Sequence, residues 1–118
     1  MPKNILMIED EENQRILYKE ELEKEGYNIF TVEDGPAGLE ILETQDIHLV
    51  ILDLRLPKMD GLETMGKILG KRKNLPVIIY TAYPHYKTDF ISWAANAYIT
   101  KSSDLTELKN KIKELISG

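Results

Sequence analysis

The stretch VILDLRLPKMDG, residues 50–61, begins as a buried strand and ends on residues that strands disfavour. Val50, Ile51 and Leu52 are apolar on successive positions, which is typical of a strand covered on both faces. The run stops at Asp53, a carboxylate of the kind that protein cores exclude. The sequence therefore places an acid at the end of a buried strand, where it needs a partner or a function.

Apolar runs of strand length recur along the chain and alternate with segments of helical period. The predicted strands are ILMI (5–8), NIFTV (28–32), LVIL (49–52), VIIY (77–80) and AYIT (97–100). The predicted helices cover residues 12–25, a short segment around 37–42, residues 61–71, residues 84–94, and the segment that follows a cap at Asp104. This alternation predicts an α/β domain with a mainly parallel sheet between two layers of helices.

The composition limits the functions open to the chain. Its 118 residues have the size of one ordinary domain, and we expect residues 1–118 to form a single one. The absence of cysteine excludes disulfides, thiolate metal sites and a thiol nucleophile. With 15 Lys and Arg against 20 Asp and Glu, the net charge of −5 disfavours direct binding to nucleic acid.

No apolar run in the sequence approaches the roughly 20 residues that cross a bilayer. The N-terminal stretch MPKNILMIEDE also meets acid where a signal peptide would continue apolar. These two features predict a cytoplasmic protein that does not bind membranes.

Five polar residues lie where the predicted strands end. Glu9 and Asp10 follow the first strand and Asp53 the third, while Thr81 follows the fourth and Lys101 the fifth. In open parallel sheets, ligands bind outside the carboxyl ends of the strands, where the strand order reverses. We therefore expect these five side chains to meet at one edge of the sheet.

Three carboxylates at one edge repel one another, at a cost of about 4 kcal/mol for each close pair before relaxation. A hard cation such as Mg²⁺ suits an oxygen site of carboxylates, a backbone carbonyl and waters, and Lys101 adds a second positive charge. An aspartate beside Mg²⁺, a lysine and a hydroxyl group suits aspartyl phosphate chemistry. The sequence therefore predicts that Asp53 stores a phosphoryl group and that Thr81 hydrogen-bonds one of its oxygens.

These fragments resemble the receiver domain of the response regulators of two-component signalling, over essentially the whole chain. The matching residues are Glu9 and Asp10 in ILMIEDEE, Asp53 in VILDLRLPKMDG, Thr81 in VIIYTAY, and Tyr98 and Lys101 in AYITK. The resemblance implies a doubly wound, flavodoxin-like sheet of strand order 2-1-3-4-5 with helices on both faces, as in the chemotaxis regulator.

The resemblance also implies a phosphoacceptor and a set of metal ligands. Asp53 would accept a phosphoryl group from a histidine of a sensor kinase or of a phosphotransfer protein. Asp10, Asp53 and the backbone carbonyl of Arg55 would bind Mg²⁺, and Glu9 would act through water. The domain would then catalyse only its own phosphorylation and dephosphorylation.

Two further roles follow from the same resemblance. Thr81 and Lys101 would contact the phosphoryl group, and Tyr98 would turn inward as Thr81 shifts. The new charge would favour one of two packings and so change a surface that binds a downstream effector.

The chain departs from the usual receiver pattern after the lysine. Receivers usually have a proline there, joined by a cis peptide bond, whereas Ser102 follows Lys101 here. A cis bond before another residue costs about 2.5 to 4 kcal/mol, so we expect a trans bond or a strained cis one. The segment between Thr81 and Lys101 is also slightly shorter than usual, so we expect the helix in it to be short or irregular.

Arg55 and Tyr83 occupy the positions, two residues after Asp53 and after Thr81, at which receivers tune hydrolysis of the acyl phosphate. Both side chains are bulky enough to obstruct an attacking water molecule. We therefore expect a long-lived phosphorylated state.

Three other functions compete with this one. A phosphohydrolase of the haloacid dehalogenase type needs a second Asp where Arg55 stands, and a mononucleotide binder needs glycines that IEDEENQ lacks. A receiver-like module that binds proteins without phosphorylation stays open, because Ser102 replaces the proline. The chain ends at KELISG, which fits either a stand-alone receiver or a piece of a longer regulator.

Overall fold

The computed structural model of the protein describes residues 2–82 and 94–116. Its elements are β1 (Asn4–Ile8), α1 (Glu12–Glu23), β2 (Asn28–Val32), α2 (Gly35–Thr44), β3 (Leu49–Leu52), α3 (Gly61–Lys71), β4 (Val77–Thr81), β5 (Ala97–Thr100) and α4 (Thr106–Ile116). The strands pair in parallel, in the order β2-β1-β3-β4-β5. This confirms the predicted fold class and strand order.

The sheet separates two apolar cores, which explains why its strands are apolar on successive residues. The core beneath α1 and α4 contains Ile5, Met7, Tyr18, Leu22, Ile29, Leu49, Ile51, Ile78, Tyr80, Ile99, Leu108, Ile112 and Ile116. The core beneath α2 and α3 contains Leu6, Ile8, Leu42, Ile47, Val50, Leu52, Leu54, Met65, Ile68, Leu75, Val77 and Ile79. Alternate residues of each central strand therefore belong to opposite cores, and the sheet is held rigidly between them.

The ends of several helices differ from the prediction. α1 ends at Glu23 rather than near residue 25, because the chain turns at Gly26, whose φ of 95° favours glycine. α2 begins at Gly35, earlier than predicted, because the Asp34 carboxylate accepts a hydrogen bond from the Ala37 amide at 2.9 Å. In the sequence the Gly-Pro pair after Asp34 indicates a turn, whereas in the structure the proline lies in the first turn of the helix, where it is tolerated.

α4 begins at Thr106 rather than directly after Asp104. The Asp104 carboxylate accepts hydrogen bonds from the amide and the hydroxyl of Thr106, at 2.9 and 2.6 Å. Asp104 thus binds the N-terminus of the helix, as predicted, but the helix begins one residue later than a helix capped by Asp104 would. The helix predicted for residues 84–94 lies, apart from its last residue, outside the described residues.

Within residues 2–82 and 94–116, no helix has the length and apolar character needed to cross a membrane.

α3 begins in close contact with the end of β3. The Asp60 carboxylate accepts a hydrogen bond from the Glu63 amide at 2.8 Å and caps the helix, as predicted. A Cβ atom added to Gly61 would overlap the backbone oxygen of Asp53 and lie 2.5 Å from Cα of Leu54. The helix can therefore approach the strand end only because residue 61 has no side chain.

We expect Gly61→Ala to lower the free energy of unfolding by about 1 to 3 kcal/mol, because the added methyl group meets backbone that cannot move aside without shifting β3. Gly66→Ala is the matched control in the same helix. Its Cβ would meet nothing within 4 Å, so we expect it to raise stability by up to about 1 kcal/mol. Urea denaturation measures both changes, and equal effects at the two glycines would contradict this account.

Candidate functional site

Backbone pairing at the carboxyl edge of the sheet brings the predicted strand-end residues together. The Asp53 amide donates to the Ile8 carbonyl at 3.3 Å, which ties the end of β3 to the end of β1. The Lys101 amide donates to the Thr81 carbonyl at 2.7 Å, which ties the residue after β5 to the end of β4. The side chains that follow these strands therefore meet at one edge.

The carboxylate of Asp53 is buried at this edge and accepts hydrogen bonds on both oxygens. Its Oδ1 accepts from the Thr81 hydroxyl at 2.9 Å and from the Arg55 amide at 3.1 Å. Its Oδ2 accepts from the Lys101 ammonium at 2.7 Å. Thr81 itself has no exposed surface. The geometry thus fixes the orientation of Asp53 and places a hydroxyl and a cation against it.

The ammonium of Lys101 lies between two carboxylates. Its Nζ is 2.7 Å from Oε1 of Glu9 and 2.7 Å from Oδ2 of Asp53, and the three side chains are only 15%, 4% and 9% exposed. Burial alone would lower the pKa of Lys101, but its hydrogen bonds to Asp53 and Glu9, with their charges, raise it well above its ordinary value. Lys101 is therefore a permanent cation at the site.

The Glu9 side chain is buried at the same edge of the sheet. Burial raises the pKa of Glu9, and the hydrogen bond and charge of Lys101 oppose that rise. Its second oxygen accepts from the Glu11 amide at 3.2 Å. Glu9 is thus held against Lys101.

Asp10 is exposed and lines, together with Asp53 and Arg55, a cleft of about 630 Å³ outside the strand ends. Within residues 2–82 and 94–116, no three acidic or histidine side chains are grouped as a preformed metal site. A Mg²⁺ site needs only one or two protein carboxylates, since a carbonyl and waters complete it. The oxygen donors of Asp10 and Asp53 at one open cleft therefore fit such a cation.

Tyr98 is half-buried in β5, opposite Ile79 in the register, and packs against the core beneath α2 and α3. Tyr83 lies outside the described residues. The peptide bond between Lys101 and Ser102 is trans, as are the other bonds of the part of the chain that the structure describes.

Sequence reasoning missed two residues of α1 that contact the site. The Gln14 side-chain oxygen lies 2.7 Å from Lys101 Nζ. The Arg15 guanidinium donates to the backbone carbonyls of Glu9 and Asp10, at 2.8 and 3.0 Å. The only sequence signal was their position in the first turns of a helix that starts just after the acidic pair.

Comparison with known proteins gives a consistent result. The family model described as the response regulator receiver domain matches residues 5–113. Response regulator ArlR of Staphylococcus aureus is 37% identical over 114 residues, which cover 95% of this chain and 52% of ArlR. The chain spans about half the length of the curated relatives it matches.

Two solved structures resemble this chain over nearly its whole length. The response regulator TrrA of Thermotoga maritima, in complex with Mg²⁺-BeF, is 46% identical, with a TM-score of 0.93 and coverage of 97% of this chain and 99% of TrrA. A complex of TrrA with the histidine kinase ThkA matches with 46% identity, a TM-score of 0.91 and coverage of 97% and 98%. The family match, the strand order and the arrangement of Asp53, Thr81 and Lys101 agree, and the chain belongs to the response regulator receiver domain family.

Proposed function

We propose that this chain is a phosphorylation-dependent signalling switch in which Asp53 accepts a phosphoryl group from a phosphohistidine. The observation that carries the proposal is the Asp53 carboxylate, held between the Lys101 ammonium at 2.7 Å and the Thr81 hydroxyl at 2.9 Å beside an acidic cleft. A structural carboxylate would not need an open cleft on one side and a buried cation on the other.

The chemical step is a phosphoryl transfer from nitrogen to oxygen. An oxygen of Asp53 forms a bond to phosphorus while the bond from phosphorus to the donor imidazole breaks, and the imidazole nitrogen keeps the electron pair. Lys101 neutralises charge that develops on the phosphoryl oxygens, and the Thr81 hydroxyl donates a hydrogen bond to one of them. Both groups already contact Asp53, so little reorganisation is needed.

The donor set also supports a bound Mg²⁺. Asp10, Asp53 and the backbone carbonyl of Arg55 would hold the ion, with Glu9 acting through water. The bound ion would supply positive charge that lets the anionic phosphate approach the acidic cleft. The 46% identity to TrrA, whose structure contains Mg²⁺-BeF, supports this assignment because beryllium fluoride imitates a phosphoryl group.

The partners follow from the same proposal. The complex of TrrA with the kinase ThkA supports a sensor histidine kinase, or a histidine phosphotransfer protein, as the donor. We propose that residues 1–118 act as one cytoplasmic receiver domain that neither binds nucleic acid directly nor turns over other substrates. Phosphorylation would draw Thr81 toward the phosphate and Tyr98 inward, and so change the surface offered to a downstream effector.

Intact mass spectrometry tests the proposal. The protein is incubated with a small-molecule phosphodonor such as acetyl phosphate, with Mg²⁺ or with EDTA. We expect one added phosphoryl group with Mg²⁺ and little or none with EDTA. A wild type that stays unmodified would instead support a receiver-like module that binds proteins without phosphorylation.

We also propose that the phosphorylated state is long-lived, because the exposed Arg55 side chain lines the cleft beside Asp53. We expect Arg55→Asn combined with Tyr83→Ala to speed loss of the phosphoryl group several-fold, since each change replaces a bulky side chain by a smaller one at a position where receivers tune hydrolysis. Lys67→Asn, on the exposed face of α3, is the charge-matched control and should not change the decay. An unchanged decay rate in the double variant would refute the proposal.

A further inference from the structure

The Lys101 ammonium has a third partner that the phosphotransfer does not use. Its Nζ lies 2.7 Å from Oε1 of Gln14, as close as it lies to Glu9 and to Asp53. An ammonium has three N–H donors, and these three oxygens accept all of them. Two of the acceptors are charged and belong to the acidic site, whereas the third is the neutral amide of a residue in α1.

The Gln14 amide is itself held in place. Its Oε1 also accepts from the Tyr18 hydroxyl at 3.4 Å, and its Nε2 donates to a Glu11 carboxylate oxygen at 3.2 Å. The Tyr18 ring is buried and packs edge-on against Tyr80, with ring centroids 5.6 Å apart. The oxygen of the amide is therefore directed at Lys101 before any phosphodonor arrives.

The main chain around Lys101 is restrained separately from its head group. The Lys101 amide donates to the Thr81 carbonyl at 2.7 Å, and the Tyr80 hydroxyl donates to the Ser102 carbonyl at 3.4 Å. These bonds fix the backbone where other receivers have a proline. They do not restrain the flexible four-carbon side chain, which loses conformational entropy when it is ordered.

We propose that Gln14 is a positioning residue for Lys101 during phosphoryl transfer, an inference that rests on the proposed function. When Asp53 forms its bond to phosphorus, its charge moves onto the phosphoryl group and its contact with Lys101 must change. The neutral Gln14 oxygen is not altered by the reaction. It keeps the ammonium at the edge of the cleft, and it binds Lys101 more weakly than a carboxylate would, so that Lys101 can turn to the phosphoryl oxygens.

The test compares initial rates of phosphorylation by acetyl phosphate and Mg²⁺. Gln14→Met keeps the length of the side chain and removes the acceptor, and we expect the rate to fall about fivefold to tenfold. Asn13→Met, at the exposed neighbouring position, is the control and should react like the wild type. In a Lys101→Met background, Gln14→Met should cause no further fall, because a residue that acts only through Lys101 has nothing left to position.

A spectroscopic measurement separates positioning from a general loss of structure. In a ¹H–¹⁵N spectrum selective for lysine ammonium groups, the Lys101 signal is assigned by its loss in Lys101→Met. We expect that signal to be protected from exchange in the wild type and in Asn13→Met, and weakened in Gln14→Met. A wild-type rate in Gln14→Met, or an equal fall in the Lys101→Met background, would overturn this inference alone. An unmodified wild type would overturn the proposed function and the inference with it.

Discussion

Replacing Asp53 with asparagine is expected to abolish phosphorylation, under conditions in which the wild type gains one phosphoryl group. An amide lacks the nucleophilic carboxylate oxygen that forms the acyl phosphate. Its carbonyl oxygen can still accept the hydrogen bonds from Thr81 and from the Arg55 amide, which are 2.9 and 3.1 Å long in the wild type. The amide nitrogen would face Lys101 and cannot accept its hydrogen bond, but Lys101 keeps Glu9 and Gln14 as acceptors. We therefore expect the variant to fold.

The matched control is Asp46→Asn, the same substitution at an exposed carboxylate before β3, at the opposite end of the strand from Asp53. We expect it to react at the wild-type rate. Intact mass after equal incubation compares the variants, and urea denaturation verifies that both are folded. Full labelling of Asp53→Asn would show that another residue accepts the phosphoryl group.

Replacing Lys101 with methionine is expected to have two large effects. Phosphorylation should slow by about a hundredfold or more, because the cation that faces the developing charge is removed. The fold should also lose about 3 to 5 kcal/mol of stability, since Glu9 and Asp53 would remain buried without their shared cation. The two effects have one cause but appear in separate measurements.

A second substitution separates these two effects. Glu9→Gln added to Lys101→Met removes the charge of one buried carboxylate, so we expect it to restore part of the stability and none of the phosphorylation rate. Lys109→Met is the control for the loss of a lysine, because Lys109 is paired with Glu21 at 3.3 Å, at 24% exposure. We expect a loss of about 1 kcal/mol or less there and an unchanged rate. Equal behaviour of Lys101→Met and Lys109→Met would contradict the account.

The sheet and its functional edge were predictable for one physical reason. Strands buried on both faces are apolar on successive residues, so a polar residue such as Asp53 or Thr81 marks the end of each one. Parallel strands then bring those ends to one edge, whatever lies between them in the sequence. Residues as distant as Glu9 and Lys101 could thus be assigned to one site before their contact was known.

The contribution of α1 could not be predicted in the same way. Gln14 and Arg15 are ordinary polar residues of an amphipathic helix, and the helical period does not say which polar residues face a neighbouring strand end. Their roles depend on how α1 packs on the sheet, which is set by buried residues such as Tyr18 and Leu22. Tertiary packing therefore decides which polar residues of α1 face the site.

The sequence alone could not predict how the Lys101 side chain is placed, because Ser102 replaces the usual proline. The structure holds the lysine by other means, through the bond of its amide to Thr81 and the bond of the Tyr80 hydroxyl to Ser102. A tyrosine before the threonine at the end of β4 reads in the sequence as one more apolar strand residue. Its hydroxyl contact appears only once β4 and β5 are placed side by side.

The most direct test of the central claim is chemical trapping of the acyl phosphate. Wild-type protein is phosphorylated with acetyl phosphate and Mg²⁺ and then treated with sodium borohydride, which reduces an aspartyl phosphate to homoserine. Tandem mass spectrometry of the peptides locates the reduced residue. We expect homoserine at position 53 and nowhere else. Homoserine at another acidic residue, such as position 10, or a phosphorylated protein without any reduced aspartate, would contradict the assignment of Asp53 as the phosphoacceptor.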